Sequence, residues 1–253
     1  MALNFSRQLW SSLRHWWRDQ SRDQSGDHGI LDKVSQLIQK IWEFAKDSIP
    51  EQRRQRYGDM EYDWENRVDT TSGTVGWRER LLGLFHSPYQ PTEPALFDEM
   101  MASLPIDFEK FTFIDLGSGK GRTLLMASKY PFQKLIGVEL MPELHRIAEK
   151  NIRDYRNPAQ RCTDIVSVLS DASDVDFPDT PLVIYLFNPL PERALCEVLE
   201  RLHNSLTRVP RAAWVVYHNP LLEDVLRTSA FLEKVGGTPQ YSVYRATGKT
   251  ASK

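Results

Sequence analysis

Apolar residues along the first half-hundred positions recur at helical spacing. Over 2–18, Phe5, Leu9, Leu13 and Trp16 fall on one side with Trp10 and Trp17 beside them, while Arg7, Arg14 and Arg18 gather opposite. A polar stretch from Asp19 to Gly29 reads as a linker. A second amphipathic helix follows, with Leu31, Val34, Leu37, Ile38, Ile41, Trp42 and Ala45 on one side, and ends near Ile49-Pro50. Residues 1–50 therefore read as an amphipathic helical extension. Its first helix has two readings. A face of tryptophan and leucine opposed by arginine suits a membrane interface, and it equally suits packing on the rest of the chain or on a partner.

The period then disappears. Arg53, Arg54 and Arg56 form a small basic run, and Tyr57 to Glu65 is acidic and aromatic. Arg67 to Gly73 fits neither a helix nor a strand, and reads as a surface loop, with a lid over a site as the alternative. The proline-rich stretch Ser87 to Pro94 leads into a helix expected over 95–104. Residues 51–94 thus form an irregular segment leading toward the mouth of the sheet, and 95–253 form the main domain.

From Phe111 the pattern alternates between strand and helix, which argues for a doubly wound, mostly parallel sheet covered on both faces. Strands are expected at 111–116, 134–138, 165–169, 181–187 and 212–217, with two short ones at 231–235 and 241–245. Helices are expected from Thr123, over 142–155, over 192–206 and near 221–227. Polar residues stand at the carboxyl ends of four successive strands, Asp115, Glu139, Asp171 and Asn188, on the rim where open α/β sheets bind ligands.

Bulk properties narrow the classes. At 253 residues, 41% hydrophobic and 26% charged, the chain supports one α/β domain with an extension. A net charge of −2 carries no strong nucleic-acid signal. Cys162 and Cys196 are too few for a disulfide framework and lack metal-ligand spacing, so no metal is expected. No run reaches the ~20 apolar residues of a membrane span. Arg7 and Arg14 interrupt the start, so no signal peptide is read. A cytoplasmic protein follows, with membrane association through residues 2–18 as the variant.

The stretch Phe111-Thr112-Phe113-Ile114-Asp115-Leu116-Gly117-Ser118-Gly119-Lys120-Gly121-Arg122 decides the chemistry. It reads as a buried strand, an acid, a glycine turn and the opening of a helix. A Walker A loop fails: Gly119-Lys120 is followed by Gly121, and Ile114 occupies the position of the earlier glycine. A dinucleotide fingerprint is G-x-G-x-x-G, whereas Gly117, Gly119 and Gly121 are spaced G-x-G-x-G. Nicotinamide binding is therefore a minor alternative.

Asp-Leu-Gly-Ser-Gly-Lys-Gly resembles motif I of the class I, seven-stranded S-adenosylmethionine-dependent methyltransferases. That family also carries an acid at the end of its second strand, matched by Glu139, and one at the end of its third, matched by Asp171 before Ala172. The resemblance spans about 89–245. It is nearest to bacterial members with a D-L-G-S-G-K-G-R loop and more distantly like the non-SET histone-lysine methyltransferases. It implies a Rossmann-like methyltransferase fold and S-adenosyl-L-methionine as cofactor. Glu139 would take the ribose hydroxyls, and Asp171 with Ala172 would take the adenine edge. Gly117, Ser118, Gly119 and Gly121 would lie against the methionine portion, with Asp115 orienting the turn and balancing the cofactor's positive charge. Tyr89 and Thr92, in Tyr89-Gln90-Pro91-Thr92, would touch the methionine carboxylate.

On the acceptor side, Asn188-Pro189-Leu190-Pro191 stands where amino-methylating members carry N-P-P-Y. By that resemblance Asn188 and Pro189 would aim an amine lone pair at the methyl group. Leu190 and Pro191 replace the aromatic that would stack on a base, which favours protein lysine over nucleic acid; Phe187 is a substitute stacking ring. No His or Cys stands out as a base, His218 being the nearest. The expectation is N-methylation of an amine. Small-molecule or nucleic-acid acceptors and a non-catalytic cofactor-binding module are the alternatives.

Overall fold

The computed structural model describes residues 62, 63, 65–70, 92–187 and 190–247. The two N-terminal helices expected over 1–50, together with Tyr89, Asn188 and Pro189, lie outside the described residues. All that is described belongs to the unit Arg56–Lys253.

In chain order the elements are α1 (Pro94–Ala102), β1 (Thr112–Leu116), α2 (Arg122–Ala127), β2 (Lys134–Glu139), α3 (Pro142–Asp154), β3 (Ile165–Leu169), β4 (Leu182–Phe187), α4 (Glu192–Arg208), β5 (Ala213–His218), α5 (Glu223–Arg227), β6 (Leu232–Thr238) and β7 (Tyr241–Ala246). They build one seven-stranded sheet in the order β3-β2-β1-β4-β5-β7-β6. The first five strands pair in parallel, and β7 runs antiparallel to both β5 and β6.

Side-chain alternation along the strands divides the core in two. Phe113, Leu135, Val183, Tyr185 and Val216 face the side covered by α1 and α2, where Phe97, Met100, Met101, Leu124 and Met126 pack. Ile114, Leu116, Ile184, Leu186 and Val215 face α4 and α5 through Leu195, Val198, Leu202 and Leu226. Each fully buried side chain of this size contributes about 1.5–3 kcal/mol. Asp115 lies between Ile114 and Leu116, so alternation turns it toward the α2 side with Phe113. That puts a carboxyl inside an apolar layer.

Helix starts follow the local chemistry. Pro94 and Pro142 occupy the first turns of α1 and α3, where a missing N–H costs nothing. Gly121, with φ of 82°, caps α2 in a left-handed conformation that lets the chain leave β1 and turn at once into helix.

The alternation of strand and helix breaks at one crossover. Between β3 and β4 there is only a 3-10 turn, Ala172–Asp174, in place of a helix. The outer strand β3 is consequently only half covered, and Val168 and Leu169 are exposed. The residues from Leu169 to Leu182 include Pro178 and Pro181 among short polar side chains, which suits a turn better than a helix.

Candidate functional site

The turn after β1 is assembled from its own backbone. Gly117 N–H and Ser118 N–H both donate to the Val138 carbonyl, at 2.9 and 3.0 Å, and Gly121 N–H donates to the Ser118 carbonyl at 2.8 Å. Gly119 N–H donates to Glu139 Oε2 at 2.7 Å. Gly117, Gly119 and Gly121 all have positive φ, which is what so tight a reversal requires. A phosphate cradle depends on backbone N–H groups turned toward the ligand. Here the four glycine-turn amides named above already donate within the fold, and what lies against the turn is the pair of carboxyls of Asp115 and Glu139. Such a surface suits a cation, and this gives a physical reason for the failure of the dinucleotide spacing.

Two carboxyls lie against that turn. Asp115 is buried and accepts a hydrogen bond from Thr123 Oγ1, at the start of α2. Burial pushes its carboxyl up to about 7, the Thr123 hydroxyl opposes that rise, and the charge of Glu139 adds to it. Glu139 closes β2 and is also buried. Its second oxygen, Oε1, accepts from Met141 N–H at 2.8 Å. Burial raises its carboxyl as well, against the backbone N–H bonds that favour the charged form. Each Glu139 oxygen thus accepts one backbone N–H and retains lone-pair capacity for a further donor.

Ser118 turns its hydroxyl inward. Its Oγ is buried without a hydrogen-bond partner. It lies over Gly137, where an added Cβ would come within 2.6 Å of that oxygen and of Leu124 Cδ1. A glycine in the middle of β2 is required by this approach. On the next strand, half-buried Asp171 accepts from Ser173 N–H and Ser173 Oγ, each at 2.8 Å, and so starts the 3-10 turn that carries buried Ala172. Leu140, immediately after Glu139, is 50% exposed. An exposed apolar side chain directly after Glu139 supplies the kind of contact a planar base takes. These residues fit an adenosine with a cationic tail.

The sequence reading missed what lies behind the turn. Lys120 and Arg122 are buried, at 4% and 2% exposure, under residues 62–70. Lys120 Nζ meets Asp69 Oδ1 at 2.6 Å, and the Arg122 guanidinium stacks over the Tyr62 ring at 4.4 Å and reaches Thr70 Oγ1 at 3.5 Å. Thr70 donates through both N–H and Oγ1 to the Asp63 carboxylate. Asn151 on α3 ties the parts together. It donates to the carbonyls of Asp69 (2.8 Å) and Lys120 (3.0 Å), and accepts from Asp69 N–H at 3.0 Å. The stretch expected to be a surface loop from Arg67 onward is, as far as Thr70, a docked strap, and Thr70 is fully buried. An acidic, aromatic segment opposite a Lys- and Arg-bearing turn was the available signal; the lack of local period concealed it.

The other end of the rim is neutral and aromatic. Thr92 is buried, and its Oγ1 lies 2.7 Å from the Tyr185 hydroxyl, which in turn lies 2.9 Å from His218 Nδ1. Phe187 and His218 are register partners at the ends of β4 and β5, and their rings stack with centroids 3.8 Å apart. Burial pulls the imidazole down to about 4, so it is uncharged near neutral pH. Thr92 therefore joins the wall of β4 and β5 through Tyr185.

Residues 86–163, less than a third of the chain, match the family model described as histone methylation protein DOT1. No curated protein matches the sequence. Among solved structures, an RNA methyltransferase from Salinibacter ruber in complex with S-adenosyl-L-homocysteine is 22% identical, covering 62% of this chain and 92% of that one, with a TM-score of 0.43. A precorrin-6y C5,15-methyltransferase from Geobacter metallireducens is 14% identical over 62% of this chain and 89% of that one, with a TM-score of 0.44. A predicted N6-adenine-specific DNA methylase from Listeria monocytogenes is 14% identical over 71% of this chain and 57% of that one, with a TM-score of 0.46. At these scores they add nothing to what the sheet already establishes. The segment that the histone-methylation model matches contains the glycine turn and Glu139, so the resemblance to S-adenosylmethionine-dependent methyltransferases falls on this rim of the sheet.

Proposed function

We propose that the protein methylates an amine nitrogen, with protein lysine the favoured acceptor. The observation that carries this reading is the match of residues 86–163 to a histone-methylation family. The neutral rim formed by Phe187 and His218 supports it. A lysine must present its lone pair, and with an unperturbed pKa of about 10.4 it arrives protonated. The uncharged Phe187, Tyr185 and His218 side chains do not hold the amine as a cation, and desolvation there favours the neutral form.

On the cofactor side, Glu139 accepts the ribose hydroxyls with the lone pairs left over from Gly119 and Met141. Leu140 lies along one face of the adenine, and the Asp171-Ala172 turn reads its edge. Asp115 and the carbonyls of the glycine turn hold the methionine ammonium. The bound cofactor supplies a methyl group on a sulfonium. The protein's share is positioning and exclusion of water. Asn188 and Pro189, and Tyr89 in the leading segment, retain the acceptor and carboxylate roles that the motif resemblance implies.

The test is transfer of labelled methyl from S-adenosylmethionine into cell extract, fractionated into protein, nucleic acid and small molecules. Label recovered as methyl-lysine is the expected result. Label confined to nucleic acid or small molecules would overturn the acceptor reading, and no label with wild type would favour a cofactor-binding module. Tight binding of NAD(P) with none of S-adenosylhomocysteine would return the dinucleotide alternative.

A further inference from the structure

Beyond the methionine carboxylate contact expected of Thr92, the Thr92–Tyr185–His218 chain has no role in cofactor binding as described, yet it is buried and polar at the β4–β5 rim. We propose that His218 accepts the hydrogen bond of the incoming amine at the β4–β5 rim, and that Tyr185 is the positioning residue that sets its ring for this. The inference rests on the amine reading above.

Three features of the geometry support it. First, the chain is anchored at both ends. Thr92 lies just before α1, and Asn219, following His218, takes a left-handed conformation with φ of 49° while donating its N–H to the Gln240 carbonyl at 2.7 Å. Asparagine tolerates that conformation better than most residues, and its use directly after a ring on the ligand rim fixes where β5 stops. Second, the ring cannot swing freely. Phe187 covers one face at 3.8 Å between centroids, and Nδ1 is held by the Tyr185 hydroxyl. Among the described residues, Nε2 on the opposite side of the ring has no hydrogen-bond partner.

Third, the proton inventory permits acceptance. A neutral imidazole carries one N–H. In the tautomer whose Nδ1–H donates to the Tyr185 oxygen, Tyr185 O–H donates to Thr92 Oγ1, and Nε2 keeps its lone pair. An amine with two hydrogens can give one to Nε2 and keep its own lone pair for the methyl carbon. The N–C bond then forms as the S–C bond breaks, the electron pair remains on sulfur, and the new ammonium loses its proton to water. His218 itself takes no proton. An imidazole is already a weaker base than a lysine amine, and burial lowers it further.

The experiment compares His218→Gln, His218→Leu and Tyr185→Phe with wild type. It measures the initial rate of labelled methyl incorporation into the protein fraction of extract, with S-adenosylhomocysteine affinity measured in parallel. Loss of one oriented hydrogen bond predicts about a tenfold fall in rate for His218→Leu and Tyr185→Phe. His218→Gln, whose side-chain oxygen still accepts, should recover most of the rate. All three should bind S-adenosylhomocysteine within about twofold of wild type, because one acceptor-side bond is changed and the cofactor contacts are kept. Wild-type rates in His218→Leu would overturn the inference and leave the amine reading intact. So would equal losses in the Gln and Leu variants, or losses that track weakened S-adenosylhomocysteine binding. If wild type labels no protein, it is the amine reading that fails.

Discussion

The glycine turn and the β4–β5 rim sit at the same edge of the sheet on neighbouring strands, and they handle charge in opposite ways. At the turn, two buried carboxyls, Asp115 and Glu139, stand in front of the backbone, and two buried cations, Lys120 and Arg122, are paired behind it by the 62–70 strap. At the rim, the buried polar groups are a threonine, a tyrosine and an uncharged histidine around a ring stack. On the proposed reading the difference corresponds to the two halves of the reaction. A cationic donor would be held by the carboxyls, whose desolvation cost its arrival offsets. A nucleophile that must arrive without its proton would meet the uncharged groups of the rim.

The sharpest way to break this contrast is Glu139→Ala. It removes the acceptor for Gly119 and Met141 N–H together with the proposed hydroxyl contacts. Charge-assisted bonds of this kind predict a loss of about a hundredfold in S-adenosylhomocysteine affinity by calorimetry. The same substitution leaves the Thr92–Tyr185–His218 chain untouched. Unchanged affinity would remove Glu139 from the cofactor site.

Asp115→Asn comes next, and its effect depends on pH. The folded carboxyl, at about 7, holds its proton more tightly than the unfolded one, near 3.8. The stability it confers is present in full below about pH 4 and is lost as pH rises through 7, on the order of 4 kcal/mol at most. Without cofactor, Asp115→Asn should therefore unfold at a higher temperature than wild type at pH 8 and at nearly the same temperature at pH 4. With cofactor the order reverses. A bound cation draws the Asp115 proton off, so wild-type affinity for S-adenosylmethionine should improve up to about tenfold per pH unit below 7, and the variant should lack that slope. Calorimetry in buffers of different ionisation enthalpy would measure the released proton.

The smallest effect is expected behind the turn. Asn151→Ala deletes three hydrogen bonds between the strap, α3 and the Lys120 carbonyl. Each is worth about 0.5–1.5 kcal/mol to stability, so the unfolding midpoint should fall, while cofactor affinity weakens only about three- to fivefold through a looser turn. A hundredfold loss of affinity would make the strap part of the site itself; no loss would make it scaffold only.

Much of this was legible in the residues, for a physical reason. Strand β4, and β5 as far as Tyr217, are continuous apolar runs, and α3 and α4 carry helical period, because a sheet covered on both faces imposes those patterns locally. The glycine turn is local too: the residues that shape it stand within a few positions of one another. The crossover after β3, for which no helix was expected, is a proline-bearing stretch without helical period and folds as a 3-10 turn. The strap was misread because its partners, Asp69 with Lys120 and Asn151, lie 51 and 82 positions apart, and nothing near Asp69 announces them.

The sequence alone determined the α/β class and the strand and helix order from α1 to β7, and its acid and glycine spacing, with Glu139 and Asp171, carried the resemblance that implies S-adenosylmethionine as donor. Local backbone preference and side-chain period carry that information. Tertiary structure alone decided that the turn's amides face inward, that Asp115 is buried enough to hold its proton near neutrality, that Lys120 and Arg122 are covered, and that Thr92, Tyr185 and His218 meet. Burial and long-range hydrogen bonding are properties of the packed sheet. No window along the chain contains both partners.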